Sequence, residues 1–210
     1  MLSQIKQAWK LKDVRRKILY TLMMIVVFRI GATIPVPGVN TNIIKGMVDS
    51  NGLLSLYNMF TGGAFSQFTL FALGIGPAIT ASIIIQLLTI GFESLGELQK
   101  SGEEGKKKIN KYTKYIALVL AFIQAIAITL GIVKGALISK SAFFIITVIL
   151  TLVSASMLLM WIGDKITEKG LGNGSSIIIF IGIVSGIPKD IISTVSLVKS
   201  GKVQIWAAVV

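Results

Sequence analysis

The sequence predicts an all-α fold, a polytopic membrane helix bundle with five transmembrane helices. Three observations carry this. Of the 210 residues, 53% are hydrophobic and only 14% are charged, with a mean hydropathy of +0.81; a water-soluble domain carries about a quarter charged residues to clothe its surface. The apolar residues come in long blocks, and Lys and Arg gather in short segments between them. That clustering weakens a nucleic-acid reading of the net charge of +12. The sequence contains neither His nor Cys, which removes the commonest metal ligands, many catalytic triads and any disulfide framework.

A hydrocarbon core of roughly 30 Å needs about 20 helical residues. The blocks that meet or approach this are Ile18–Ile34, Phe68–Phe92, Tyr115–Val133, Ala142–Gly163 and Leu171–Ile187, the first and last being short. A sixth apolar run starts at Val203 and reaches Val210 with no polar flank, so the C-terminus reads as a fragment boundary. The chain thus divides into an amphipathic cytoplasmic segment (1–17), a helical body (18–192), and an external hinge loop with the truncated start of a sixth span (193–210).

Charge placement gives the orientation. Lys6, Lys10, Lys12, Arg15, Arg16 and Lys17 precede the first span; Lys100, Lys106, Lys107, Lys108, Lys111 and Lys114 lie in the second connection, and Lys165 and Lys169 in the fourth. These 14 face six in the alternate connections, Lys45, Lys134, Lys140, Lys189, Lys199 and Lys202. The richer side is the cytoplasm, so the N-terminus is cytoplasmic. A cleaved signal peptide fits poorly, because Arg29 interrupts the first run and Ile34-Pro35-Val36-Pro37-Gly38 follows it instead of a small-residue cleavage site.

The connection Pro35–Gln67 is long for a compact bundle. Its first part, to Gly52, reads as polar and turn-rich. Its second, Leu53–Phe65, places Leu53, Leu56, Tyr57 and Phe60 at helical spacing and is broken by Gly62 and Gly63. Two readings stand: an interfacial helix, which the residues alone favour, and a re-entrant piece buried in protein. Leu73-Gly74-Ile75-Gly76-Pro77 permits either a kink or close helix packing early in the second span. Lys100–Tyr115 reads as a solvated basic loop, a face for anionic headgroups, or a partner-docking surface. Gly170–Ser175 superficially resembles a phosphate loop but lacks its Lys and strand; it reads instead as a helix break with Asn173 or Ser175 capping the next helix.

Arg29 is the one ionisable residue inside a predicted span, at a cost of roughly 2.5–3.5 kcal/mol at a span centre. It lies near the outer end, where snorkelling accounts for it. All nine acidic residues fall in connections or at span ends, which argues against the main rival, an inverted-repeat secondary transporter with a mid-membrane carboxylate. No Ser is paired with an evident base, so a membrane hydrolase is disfavoured. Gln86 and Gln124 are the main polar side chains within spans.

Four stretches together resemble the SecY family of the bacterial type, central subunits of the Sec protein-translocation channel. They are Arg29–Asn40 (RIGATIPVPGVN), Leu54–Gln86 (ending FALGIGPAITASIIIQ), Glu103–Tyr115 (EEGKKKINKYTKY) and Met160–Pro188 (MWIGDKITEKGLGNGSSIIIFIGIVSGIP). The resemblance implies that the chain is the N-terminal half of an inverted-repeat channel and that Leu53–Phe65, with Gly62 and Gly63, is a re-entrant plug. It implies a pore ring of Ile79, Ile83, Ile179 and Ile183, each pair spaced i, i+4 on one helix face. It implies Gln86 and Gln124 as lateral-gate polar residues, and Lys106, Lys107, Lys108 and Lys111 as contacts to a cytoplasmic partner. Implied partners are SecE and SecG subunits, the SecA motor or the ribosome, signal peptides, unfolded preproteins and membrane lipids, with no direct nucleic-acid recognition. No cofactor, metal or catalysis is implied, and the location is the plasma membrane.

Overall fold

The computed structural model describes residues 11–138 and 141–199, with only the backbone of 188–199. Its described residues form α1 (Lys12–Gly31), α2 (Thr41–Ser50), α3 (Gly52–Phe60), α4 (Gly76–Gly91), α5 (Glu93–Lys100), α6 (Glu103–Gly131), α7 (Ala142–Lys169) and α8 (Gly174–Lys199), with a short 3₁₀ turn at Val133–Gly135. Strand-like pairing among these residues is limited to two isolated bridges, Pro35 to Thr69 and Val39 to Leu137. Lys6, Lys10, Lys140 and Lys202 and the sixth apolar run lie outside the described residues, as do the side chains of Lys189 and Lys199. The amphipathic segment 1–17 is described only from Leu11.

α6 and α7 are each long and apolar enough to cross a membrane alone. α4 and α5 together would make a third span but are bent by 106° at Phe92. Among the described residues, helix length and apolarity therefore single out two to three spans, fewer than the five read from the apolar blocks. α1 carries Arg15, Arg16, Lys17 and Arg29, and α8 counts as a shorter apolar helix over Gly174–Ile187, the part whose side chains are described.

Several boundaries differ from the sequence reading. The predicted second span starts at Phe68, yet helix begins only at Gly76; residues 61–75 run in successive turns. Gly62, Gly63 and Gly74 hold positive φ there, and so does Phe68 at +42°, a strained value for a bulky side chain. Pro77 then sits in the first turn of α4, where its missing N–H has no helical partner to lose. The stretch read as turn-rich before Gly52 contains α2. Asn40 caps it, its Oδ1 accepting from the Asn42 N–H at 3.1 Å, and Ile44 and Val48 are buried one turn apart. The basic Lys100–Tyr115 is mostly helix, not loop, because Glu103 and Glu104 suit the first turn of α6 and Lys is a good helix former. α8 continues past Ile187 to Lys199, and so runs beyond residue 192 into the predicted hinge loop.

Two buried clusters organise the bundle. One gathers Ile44, Phe65, Phe68, Leu73, Val148 and Leu152 around the turn segment. The other gathers Phe28, Phe71, Ile75, Leu159, Ile162 and Ile178 between α1, α4, α7 and α8. α6 contributes a stripe of small residues at four-residue spacing, Thr113, Ala117, Ala121, Ala125 and Thr129, all buried. Such stripes let helices approach closely where lipid gives no hydrophobic drive to associate.

The α7–α8 junction is equally tight: a Cβ on Gly174 would lie 2.0 Å from the Gly163 carbonyl oxygen. In the detergent-solubilised full-length protein, Gly174→Ala is expected to cost about 1–3 kcal/mol through overpacking. Gly46→Ala, in mid-α2 with open space around it, is expected to stabilise by about 0.5–1 kcal/mol. Thermal unfolding of the two variants beside the parent checks both signs.

Candidate functional site

The site is built from α3, the turn segment behind it, and the helices α4 and α8. Asn51 starts α3 by accepting the Leu53 N–H on Oδ1 at 3.1 Å. Thr61, Gly62 and Gly63 end it, the glycines at φ +67° and +84°, a left-handed conformation that costs other residues energy. The following loop folds back on α3. The Ser66 N–H donates to Asn58 Oδ1 at 2.8 Å, and Thr61 Oγ1 accepts from the Phe65 N–H at 3.3 Å.

α3 is the predicted short helix, but of the stripe Leu53, Leu56, Tyr57 and Phe60 only Tyr57 packs inward. Leu54 and Tyr57 pack on the buried cluster, whereas Leu53, 78% exposed, Leu56, Met59 and Phe60 turn outward. Tyr57 sets the rotation: its hydroxyl donates to the Leu73 carbonyl at 2.8 Å, and its ring meets Phe65 edge-on at 5.0 Å. Burial pushes the phenol up to about 12, so it stays protonated and able to donate at neutral pH. No residue of α3 is fully buried; the helix is held by its polar ends and one edge.

At its C-terminal end α3 touches α8 backbone to backbone. A Cβ on Gly62 would lie 2.9 Å from Gly182 Cα, and one on Gly182 would lie 2.8 Å from the Phe60 carbonyl oxygen. Only paired glycines permit this approach. Gly182 stands between Ile179 and Ile183, so the helix that carries two of the predicted ring residues also seats α3. Spacing puts Ile79 and Ile83 on one face of α4. Ile79 and Ile179 both pack on the same buried cluster, while Ile83, 51% exposed, and half-buried Ile183 lie outside it.

A cleft of about 530 Å³ opens beside α3, lined among others by Thr41, Asn42, Met59, Gly63 and Ser185. A second, about 310 Å³, is lined by Gln86, Gln99, Lys106, Asn110, Lys114 and Asp164, with Lys114 and Asp164 paired at 2.8 Å. Gln86 thus shares a polar cleft with Lys106, whereas Gln124 sits half-buried on α6. Lys107, Lys108 and Lys111 are exposed on the first turns of that helix. Asn173 caps α8 as its type suggests, accepting the Ser176 N–H at 3.2 Å.

Sequence reasoning missed the partner of Arg29. Its Nη2 donates to the Ile181 carbonyl oxygen of α8, and its guanidinium lies 5.2 Å from the Phe28 ring centre. The partner is 152 positions away, beyond the reach of any local pattern. The charge itself, in an otherwise apolar run, was the available signal.

The model of the SecY family matches residues 69–210. The chain is 43% identical over 200 residues to the protein translocase subunit SecY of Buchnera aphidicola subsp. Acyrthosiphon pisum (strain APS), covering 92% of this chain and 46% of that one. It is 43% identical over 198 residues to the same subunit of Escherichia coli (strain K12), covering 91% and 45%. The chain spans about half the length of these curated relatives, which give no support to a solute transporter. Among solved structures, "The structure of a protein conducting channel" aligns with a TM-score of 0.67 at 21% identity, over 92% of this chain and 43% of that one. "Sec61 in the Canine ribosome-channel complex from the endoplasmic reticulum" aligns with the same score, identity and coverage. At that identity the structures speak for the fold alone, which is all-helical and like that of the SecY and Sec61 channels. With the family model matching most of its length and relatives at 43% identity over nearly all of it, the chain belongs to the SecY family.

Proposed function

We propose that the chain is the N-terminal half of a protein-conducting channel that translocates unfolded polypeptides across the plasma membrane and inserts membrane proteins into it. The observation that carries this reading is the seating of α3 against Gly182, between Ile179 and Ile183. In the proposal α3 with Gly62 and Gly63 is the plug. Ile79, Ile83, Ile179 and Ile183 form half of an apolar ring that excludes water and ions by dewetting. The outward apolar face of Leu53, Leu56 and Phe60 supports a helix that is covered by the rest of a longer protein and can be displaced.

Five spans complete the half-channel: α1, α4 entered from the turn segment, α6, α7 and α8, with the N-terminus cytoplasmic by charge placement. Residues 1–17 lie on the cytoplasmic side, and 193–210 connect to the second half. A signal peptide parts α4 and α6 from helices of that half, with Gln86 and Gln124 as polar residues along the gate, and an unfolded preprotein displaces the plug. Lys106, Lys107, Lys108 and Lys111 meet a cytoplasmic partner, SecA or the ribosome, whose energy drives transport; SecE and SecG subunits and membrane lipids surround the channel. The process is conduction, not catalysis.

Ile83→Ser in the full-length channel, reconstituted in planar bilayers, is expected to raise resting ion conductance, and an unchanged conductance contradicts the ring assignment. Tyr57→Phe removes the hydrogen bond to Leu73, worth about 1 kcal/mol, and is expected to raise the open-plug population about fivefold. Resting conductance of that variant, compared with the parent, checks it.

A further inference from the structure

α1 carries a cation whose place is not explained by topology. Arg29 is half-buried, and among the described residues no carboxylate lies within ion-pair range of it. Snorkelling alone calls for no protein acceptor. Arg29 donates to the Ile181 carbonyl, and its ring contact is fixed in turn, since Phe28 stacks on Phe71 at 5.6 Å. A carbonyl oxygen has two lone pairs, so Ile181 can accept this bond and keep its place in the helix ladder.

The position of the acceptor matters. Ile181 directly precedes Gly182, where the end of the plug helix meets α8, and it lies between Ile179 and Ile183. At the middle of α1, the Leu171 N–H donates to Thr21 Oγ1 at 3.1 Å, tying α1 to the connection before α8. Thr21 and Arg29 are eight residues apart, slightly more than two turns, so α1 grips the α8 region at two heights. The upper grip acts within one residue of the plug seat.

We propose that Arg29 is a positioning residue of the closed gate. Through Ile181 it fixes the depth and rotation of α8, so that Gly182 receives the plug and Ile179 and Ile183 stay at the waist. The proposal rests on the channel reading above and extends it to a residue outside plug and ring. The chemistry needs a long side chain with a charged donor; Lys supplies the charge with a single rotatable head and replaces Arg only in part.

The experiment uses the full-length channel with its partner subunits in planar bilayers, with no substrate present, and reads resting ion conductance. Arg29→Met is expected to raise the open fraction about tenfold, equivalent to about 1.4 kcal/mol of lost closed-state bias, and Arg29→Lys to raise it less. Gly62→Ala disturbs the same seat from the plug side. Arg29→Met combined with Gly62→Ala is therefore expected to leak no more than the leakier single variant, whereas a general loss of stability would add. Additive leaks overturn the proposal. So does a tight Arg29→Met: if Ile83→Ser leaks beside it, the channel reading survives alone, and if both are tight, both fail. Should Arg29→Met not accumulate in the membrane, Arg29→Gln, neutral but polar, takes its place with the same expectation.

Discussion

Backbone that is not helical must still pair its N–H and C=O groups, and in so apolar a chain it can do this only inside protein. Residues 61–75 live under that constraint. The Val36 N–H donates to the Phe68 carbonyl and the Leu70 N–H to the Ile34 carbonyl, each at 2.9 Å. The Thr69 N–H reaches back to Ala64 at 2.9 Å, and the Leu73 carbonyl accepts from Tyr57. The turn segment is buried from Phe65 through Ile75 at most positions, so little water can satisfy it instead. Its partners are the segment just after α1 and the helix α3, and this fixes where α3 sits.

The two sides of α3 are held by different physics. Toward the core it has one hydroxyl bond, an aromatic edge contact and the packing of Leu54. Toward α8 it has a glycine pair at backbone distance. Neither is a large buried apolar surface, so α3 is restrained in direction more than in energy. By contrast α6 and α7 are packed along most of their length, through Ala117, Ala121 and Ala125 on one and Val148, Leu152, Ser156 and Leu159 on the other. A weakly held helix on a firmly packed frame can move without unfolding its neighbours. Arg29 fits this division, since a charge in an apolar bundle is costly unless bonded and its acceptor among the described residues, the Ile181 carbonyl, lies on the element that seats α3.

What the sequence made legible was whatever is periodic or local. α6 and α7 follow from long apolar blocks, and the Asn173 cap from residue type at a helix start. α3 was visible from the spacing of Leu53, Leu56, Tyr57 and Phe60, but its direction was not. Burial there is decided by the reach of one hydroxyl to Leu73, a contact outside the helix. α2 carried a readable signal in Asn40 followed by Ile44 and Val48, obscured by surrounding Asn, Lys and Gly. The turns at 61–75 were hidden because Phe65, Phe68, Leu70, Phe71, Leu73 and Ile75 look like the start of a span to any hydropathy window. The bond between Arg29 and Ile181, and the meeting of Gly62 with Gly182, join residues far apart in the chain and leave no pattern to read.

The central claim is that α3 rests against α8 in the closed channel and leaves it when a polypeptide passes. Ser55 on α3 and Ser185 on α8 line the same cleft, and this chain has no Cys of its own to interfere with labelling. Pulsed electron resonance between spin labels at Ser55→Cys and Ser185→Cys, in an otherwise cysteine-free full-length channel, measures that separation directly. The account predicts one short, narrow distance at rest and a longer, broader one with a polypeptide arrested in transit. The same distance in both states would contradict it.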